Sequence, residues 1–184
     1  MEMPAAEICV PLWGGSFGIS ADARMCYDER ALYLRLSAVE KAIRAEHTEP
    51  WEAPCEDSCL EFFFCPLPGD ARYFNVEFNP NGCLFLGMGS GIFDLVRLTP
   101  LQEDLFAFSA ARDETGWSVS YEIPHAFVRQ FFPQYAPAAG MKLRGNFYKC
   151  GDLTENPHFL AWNPVREEGG TFHQPADFGT LLFL

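Results

Sequence analysis

Basic residues are scarce in this chain of 184 residues: 13 Lys and Arg stand against 25 Asp and Glu, a formal net charge of −12. A phosphate backbone is held mainly by basic side chains, so the balance excludes nucleic acid as the expected partner, and an anionic membrane surface with it. Long hydrophobic runs are missing too. No stretch approaches the ~20 apolar residues of a membrane span; Cys59 to Cys65 is short and interrupted by Glu61. The start, Met1-Glu2-Met3-Pro4-Ala5-Ala6-Glu7, has neither a basic opening nor an apolar run of signal-peptide length. Seven cysteines (9, 26, 55, 59, 65, 83 and 150) are an odd number, poorly suited to a disulfide framework. These features predict reduced thiols in a cytoplasmic protein, or an extracellular one if a leader has been removed. Cys55 and Cys59 are four apart with Cys65 near, but no CxxC pair or HxxxH partner occurs, so the pattern does not read as zinc.

What is abundant is aromatic: 18 Phe, 6 Tyr and 4 Trp, or 15% of the chain. Rings fill cores, and sugars and bases also stack on them, so composition alone leaves both uses open. The dominant period is two. Ala31 to Ser37 puts Leu32, Leu34 and Leu36 on one face; Tyr73 to Asn79 puts Phe74, Val76 and Phe78 on one side; Trp117 to Ile123 alternates likewise after the turn residues Asp113-Glu114-Thr115-Gly116. Asn79-Pro80-Asn81-Gly82 reads as a hairpin turn into Cys83–Leu86. Further strands are predicted near 23–28, 58–65, 105–112, 142–149, 158–162 and 179–183. Two short helices are expected, over Val39–His47 and from Pro124 to Phe132. Many short strands with Gly/Pro-rich turns predict one all-β domain over 1–184, an antiparallel two-sheet sandwich of immunoglobulin-like or jelly-roll-like type.

In such a sandwich each sheet turns one face inward and leaves the other wet. The outward set of the 73–79 strand is Tyr73, Asn75, Glu77 and Asn79; that of the 59–65 strand is Cys59, Glu61, Phe63 and Cys65. If the strands pair, Glu61, Asn75 and Glu77 converge on one surface. Carboxylates and amides beside rings suit sugars: planar polar groups take hydroxyls in pairs while rings cover C–H faces. Two loops add aromatics, Glu49-Pro50-Trp51-Glu52-Ala53-Pro54 and, after Glu167-Glu168-Gly169-Gly170, Thr171-Phe172-His173-Gln174-Pro175.

Three stretches together resemble the carbohydrate-binding family 9-like domains, a branch of the DOMON-like β-sandwiches. They are Glu56 to Phe63, Gly145 to Asp152 followed by the Trp162-Asn163-Pro164 loop, and Phe172 to Gly179. The resemblance spans nearly the whole chain. It implies two antiparallel sheets holding a sugar between two rings, and in xylanase-attached members a polysaccharide reducing end or a small sugar. Glu61 matches the acid of the family's Asp-Ser-x-x-Glu stretch, here Asp57-Ser58-Cys59-Leu60-Glu61. Asn75 falls where a relative has a basic side chain. Cys55 is the nearest equivalent of one stacking Trp, with Trp51 four residues upstream, and Phe172 matches the other. Tyr148, Trp162 and His173 are further candidate site members. The implied ligand is a mono- or oligosaccharide, with a glycoside hydrolase as partner. No cofactor is firmly implied; a structural calcium is compatible with the family, with no Asp-x-Asp-x-Asp loop to locate it.

Other functions remain open at this level. A sandwich that has lost sugar binding and serves interaction or structure is one. A glycosidase using Glu61 and Glu77 is another, and would place those carboxyls ~5–5.5 Å apart for retention or ~6.5–9.5 Å for inversion. Haem held by Met88 with His158 or His173 is a third. Serine or cysteine nucleophile chemistry lacks its motif, since no Gly-x-Ser-x-Gly occurs.

Overall fold

The computed structural model describes residues 4–99, 104–166, 168 and 170–184. Met1–Met3, and Glu167 and Gly169 of the acidic glycine loop, lie outside the described residues. Among these described residues thirteen strands, numbered in chain order, form two antiparallel sheets. The smaller runs β1 (Ala6–Ile8), β3 (Ser20–Tyr27), β4 (Ala31–Val39), β10 (Gly116–Pro124), β9 (Ser109–Arg112) from edge to edge. The larger runs β2 (Val10–Leu12), β12 (His158–Ala161), β11 (Lys142–Gly151), β5 (Cys59–Cys65), β6 (Tyr73–Phe78), β7 (Leu84–Gly89), β8 (Val96–Arg97). Strand β13 (Gly179–Leu182) pairs the first half of β11, beside the end that β12 pairs. Cys9 lies between β1 and β2, where the chain passes from one sheet to the other.

The alternation sets the core. Leu32, Leu34, Leu36 and Ala38 of β4 face Leu60, Phe62 and Phe64 of β5, with Phe74, Val76 and Phe78 of β6 beside them. Trp117, Val119, Tyr121 and Ile123 of β10 complete the inner layer. Phe62 stacks on Phe64 and on Phe147 at centroid separations of 5.0 and 4.6 Å. Burial of such rings is the main favourable term of the fold. Helix α1 (His125–Phe131) starts after Pro124, whose fixed φ suits that boundary, and plugs Phe127 and Val128 into one end of the sandwich.

The expected helix over Val39–His47 does not form. Its backbone groups are claimed by side chains from elsewhere, of which Asp57, Ser58 and Asn79 are buried. Asp57 Oδ2 accepts from Glu46 N and His47 N, each 2.9 Å, and Ser58 Oγ accepts from Arg44 N at 3.1 Å. Asn79 Nδ2 and Asn81 Nδ2 donate to the carbonyl of His47. A local segment with this many long-range partners forgoes its i→i−4 ladder. The strand expected over 105–112 is confined to Ser109–Arg112; Phe106 precedes it as a loop residue buried in the core.

A second difference decides where a site can be. The outer face of the larger sheet is not wet. Cys59, Glu61, Phe63 and Cys65 are all buried, as are Tyr73, Asn75 and Glu77. The chain between β12 and β13 crosses this face and lays Val165, Phe172 and Phe178 over Phe63, Tyr73 and Tyr148 as a second apolar cluster. Both faces of β5 and β6 are therefore covered.

Candidate functional site

Register places the polar residues of the covered face side by side. Glu61 of β5 lies opposite Glu77 of β6 and Tyr148 of β11, and Phe63 lies opposite Asn75 and Asn146. One pair further along, Cys59 faces Cys150, which faces Phe159. Above Glu61 and Glu77 the cover leaves a cavity of about 180 Å³, whose walls include Trp13, Ile92, Asp152, Phe159, Phe172 and His173. Larger hollows of about 520, 470 and 310 Å³ lie elsewhere: one along the solvent face of the smaller sheet, one an apolar gap beside β13, and one between Phe17 and Glu40. The first sets Glu7, Asp22 and Asp113 beside the core residue Trp117 and the third has Glu40 and Phe17, whereas the smaller cavity brings three acids together with four rings, those of Trp13, Phe159, Phe172 and His173.

Local chain geometry builds these walls. Trp13 follows β2 with φ of 29°, a left-handed conformation that a tryptophan adopts only where packing compels it. Its ring meets Phe172 at 5.5 Å and Phe159 at 5.9 Å. Asp94 accepts from Ser90 N and Gly91 N, closing a turn that carries Ile92 to the cavity wall. Gly89 permits the close return of this loop, since a Cβ there would lie 2.8 Å from Leu95 Cα.

The electrostatics are those of acids kept from water. Burial raises the Glu77 carboxyl to about 7, against partial relief from an Asn75 hydrogen bond and the Arg97 charge. Burial, then the neighbouring Glu77, pushes Glu61 well above the usual carboxylate range. Asp152 is raised by burial and by Glu56. Glu61 Oε1 accepts from the Cys150 thiol at 3.0 Å, and Glu77 Oε1 accepts from Asn75 Nδ2 at 2.9 Å. Burial lowers His173 to about 4, so its ring is neutral, with Nδ1 2.6 Å from the Tyr73 hydroxyl. Of the four buried side-chain polar atoms without a hydrogen-bond partner among the described residues, two belong to this region: the Trp13 indole N–H, a donor, and Asn75 Oδ1, an acceptor. Such orphans are rare and mark places for water or ligand groups.

The family model of carbohydrate-binding family 9 matches residues 8–183. The chain belongs to carbohydrate-binding family 9. A solved structure of a candidate carbohydrate-binding protein from Bacteroides uniformis ATCC 8492 is 31% identical, with a TM-score of 0.81 over 99% of this chain and 87% of that one. A family 9 carbohydrate-binding module from Caldicellulosiruptor kristjanssonii shares the fold at 11% identity and a TM-score of 0.68. Its glucose complex aligns over 99% of this chain and 84% of that one, its cellotriose complex over 98% and 82%. No curated protein matches the chain. By family it is a carbohydrate-binding module. No helix among the described residues is long and apolar enough to cross a membrane.

Against this family 9 frame, the residues singled out from sequence fall into three places. Glu61, Glu77, Phe172 and His173 line the cavity. Asn75 and Tyr148 are fully buried behind it, Asn75 against Glu77 and Tyr148 stacked on Phe172 at 4.1 Å. Trp51 and Trp162 are not among its lining residues. Trp51 is 67% exposed. Its loop is pinned by Arg97, which donates to the carbonyls of Pro50, Trp51 and Glu52 and sits 5.6 Å from the Trp51 ring centroid. Trp162 follows β12 by one residue and so turns to the opposite face, where it packs on Phe147 in the main core. Phe172 has one ring face taken by Tyr148, leaving it a wall with its remaining surface. The family's Asp57-Ser58 pair serves the 44–47 segment, as described above.

Sequence reasoning missed Trp13, Ile92, Cys150, Asp152 and Phe159. Only Phe159 carried a readable signal, lying on the predicted 158–162 strand at the parity of Ala161; Cys150 shares the parity of Tyr148 but falls one residue beyond the strand predicted over 142–149, which in the fold extends to Gly151. The set Cys55, Cys59 and Cys65 does not assemble: Cys65 lies at the far end of β5, opposite Arg144, while Cys59 lies opposite Cys150. Haem ligation is also unsupported. Met88 points to the core side of β7, opposite Phe74, and His173 lies on the other face of that sheet. His158 has both ring nitrogens bonded, to Lys149 Nζ and the Asn156 carbonyl.

Proposed function

We propose that the cavity over Glu61 and Glu77 is this module's sugar site and that it takes the end of a saccharide, one ring deep. The observation that carries the reading is the meeting of Glu61, Glu77 and Asp152 with aromatic walls and an unpartnered indole N–H. The carboxyls accept sugar hydroxyls, Trp13 Nε1 donates to one, and Phe159, Phe172 and Trp13 cover C–H faces. At about 180 Å³ the space is below the roughly 300–1,000 Å³ of pockets for drug-sized ligands, which favours a single ring over a stretch of chain. Trp51 then stands outside, placed by Arg97 to meet further rings. The glucose and cellotriose held by the Caldicellulosiruptor module support gluco-configured ligands.

The role is to hold rather than cleave, in support of a glycoside hydrolase that acts on the same saccharide. A reducing compartment is the proposed setting, in keeping with seven free thiols. Calorimetric titration with glucose, cellobiose and cellotriose, on metal-free protein, tests the reading. Expected are dissociation constants in the micromolar to millimolar range, about −8 to −4 kcal/mol, with Glu77→Ala abolishing the heat. No heat from a broad sugar panel at millimolar concentration sinks it. Release of aryl alcohols from aryl glycosides, lost in Glu61→Gln, replaces it with a glycosidase.

A further inference from the structure

We propose that Cys59, Cys150 and Glu61 form a binding site for a thiophilic divalent cation of the zinc class at the inner end of the cavity. The two thiol sulfurs and a Glu61 carboxylate oxygen all lie within 4.8 Å of one another. Tetrahedral zinc, with bonds of about 2.3 Å to sulfur and 2.0–2.2 Å to oxygen, spaces its ligands at roughly 3.5–3.8 Å, so small side-chain movements close the set. Cys59 and Cys150 face each other on two central strands and Glu61 lies two residues along β5 on the same face, which fixes all three without help from a loop. All three are at most 2% exposed, yet Glu61 and Cys150 also line the cavity, which gives an ion its way in. A solvent molecule from the cavity completes the shell, or the Cys55 thiol does if it moves in from the cavity wall.

Charge points the same way. Glu61, Glu77 and Asp152 converge here with three thiols, and no Lys or Arg forms an ion pair with these three acids among the described residues. Lys149 is spent on Glu40, and Arg97 on the carbonyls of residues 50–52. Arg97 and Lys149 act on Glu77 and Glu61 only without ion-pair contact, and ionising buried acids that lack a paired cation is costly. A bound dication supplies that charge. Two sulfur donors suit zinc and exclude calcium and magnesium, which take oxygen ligands. Binding exchanges protons for metal: two thiols and the Glu61 carboxyl release up to three protons as the cation enters, so affinity rises with pH. This goes beyond the sugar site, in which Glu77 and Asp152 stay free to meet hydroxyls.

The test uses the reduced, metal-free full chain titrated with Co²⁺. Expected are one equivalent bound, a thiolate-to-cobalt charge-transfer band with the intense visible bands of four-coordination, and loss of all of them on adding Zn²⁺. Cys9→Ser and Cys26→Ser, both at exposed thiols, leave the spectrum unchanged. Cys59→Ser and Cys150→Ser abolish the charge-transfer band. Absence of the band in the parent protein, or its persistence in the double variant, overturns the site. Should those variants fail to fold, X-ray absorption on the zinc-loaded parent decides: a mixed shell with two or three sulfurs supports the site, and one without sulfur overturns it. Sugar titration of metal-free protein reads the sugar site separately.

Discussion

Phe172 shows how one side chain serves both the fold and the site. It is 8% exposed, lies flat on Tyr148, meets Trp13 and Phe159 by ring contacts, and still lines the cavity. Phe172→Ala removes the roof of the second apolar cluster, and buried Phe→Ala changes cost about 3–5 kcal/mol. We expect a loss near the lower end of that range by urea denaturation, because the residue is close to the surface. Sugar affinity should fall at least tenfold in the same variant, read by calorimetry at a temperature where it stays folded. A variant destabilised as expected that keeps full sugar affinity would remove Phe172 from the site while leaving its packing role intact.

At the scale of elements, the sheets are tied by a buried polar network that no periodicity reveals. Lys149 of β11 holds Glu40, which follows β4, at 3.1 Å, and its remaining donors reach the Cys150 carbonyl and His158 Nε2. Glu40 also accepts from Trp117 Nε1 of β10 and from Ser58 Oγ, which precedes β5. One carboxylate thus joins both sheets. Lys149→Met strands it without its cation, and breaking a buried pair from one side costs about 3–5 kcal/mol. Thermal unfolding should show that loss, and Glu40→Gln combined with Lys149→Met should recover part of it; additive losses would mean the pair is not coupled. Alternation predicted β4, β5, β6, β10 and their inner faces because a period of two needs only neighbours in sequence. It failed over 39–47, where Asp57, Ser58 and Asn79 overrule local helix preference from a distance. It placed Glu61 beside Glu77 by parity, yet could not tell that Val165, Phe172 and Phe178 would cover that face. Trp13 and Ile92 were illegible for the same reason: their positions depend on which loop lies over which strand.

For the whole molecule, covering a polar sheet face links stability to pH. Glu77 gives up its proton near 4.5 when unfolded and about 7 in the fold. Between those values the folded chain binds more protons than the unfolded one, so stability is fully present below 4.5 and is lost as pH rises through 7. The full loss is at most about 3–4 kcal/mol, at 1.36 kcal/mol per pKa unit. Glu61 is shifted in the same direction and extends the trend upward. Buried His173, lowered to about 4, contributes oppositely: its stability is present above 6.5 and lost as pH falls through 4. His125 and His158 share that sign. The parent's profile therefore mixes both, and a difference between two proteins isolates the acid. Glu77→Gln keeps an oxygen for Asn75 Nδ2 and gains an N–H able to donate to the orphaned Asn75 Oδ1, without a charge to bury. Its melting temperature should match the parent's near pH 4.5 and exceed it by roughly 5–10 °C at pH 7.5, since 1 kcal/mol moves a domain of this size by about 2–4 °C. Parallel melting curves across that range would mean that water already solvates the Glu77 carboxylate in the fold or that a bound cation neutralises it. The same scan with Zn²⁺ present separates those two, because only a cation ligated beside Glu77 shifts the parent's curve and leaves it unchanged in Cys59→Ser.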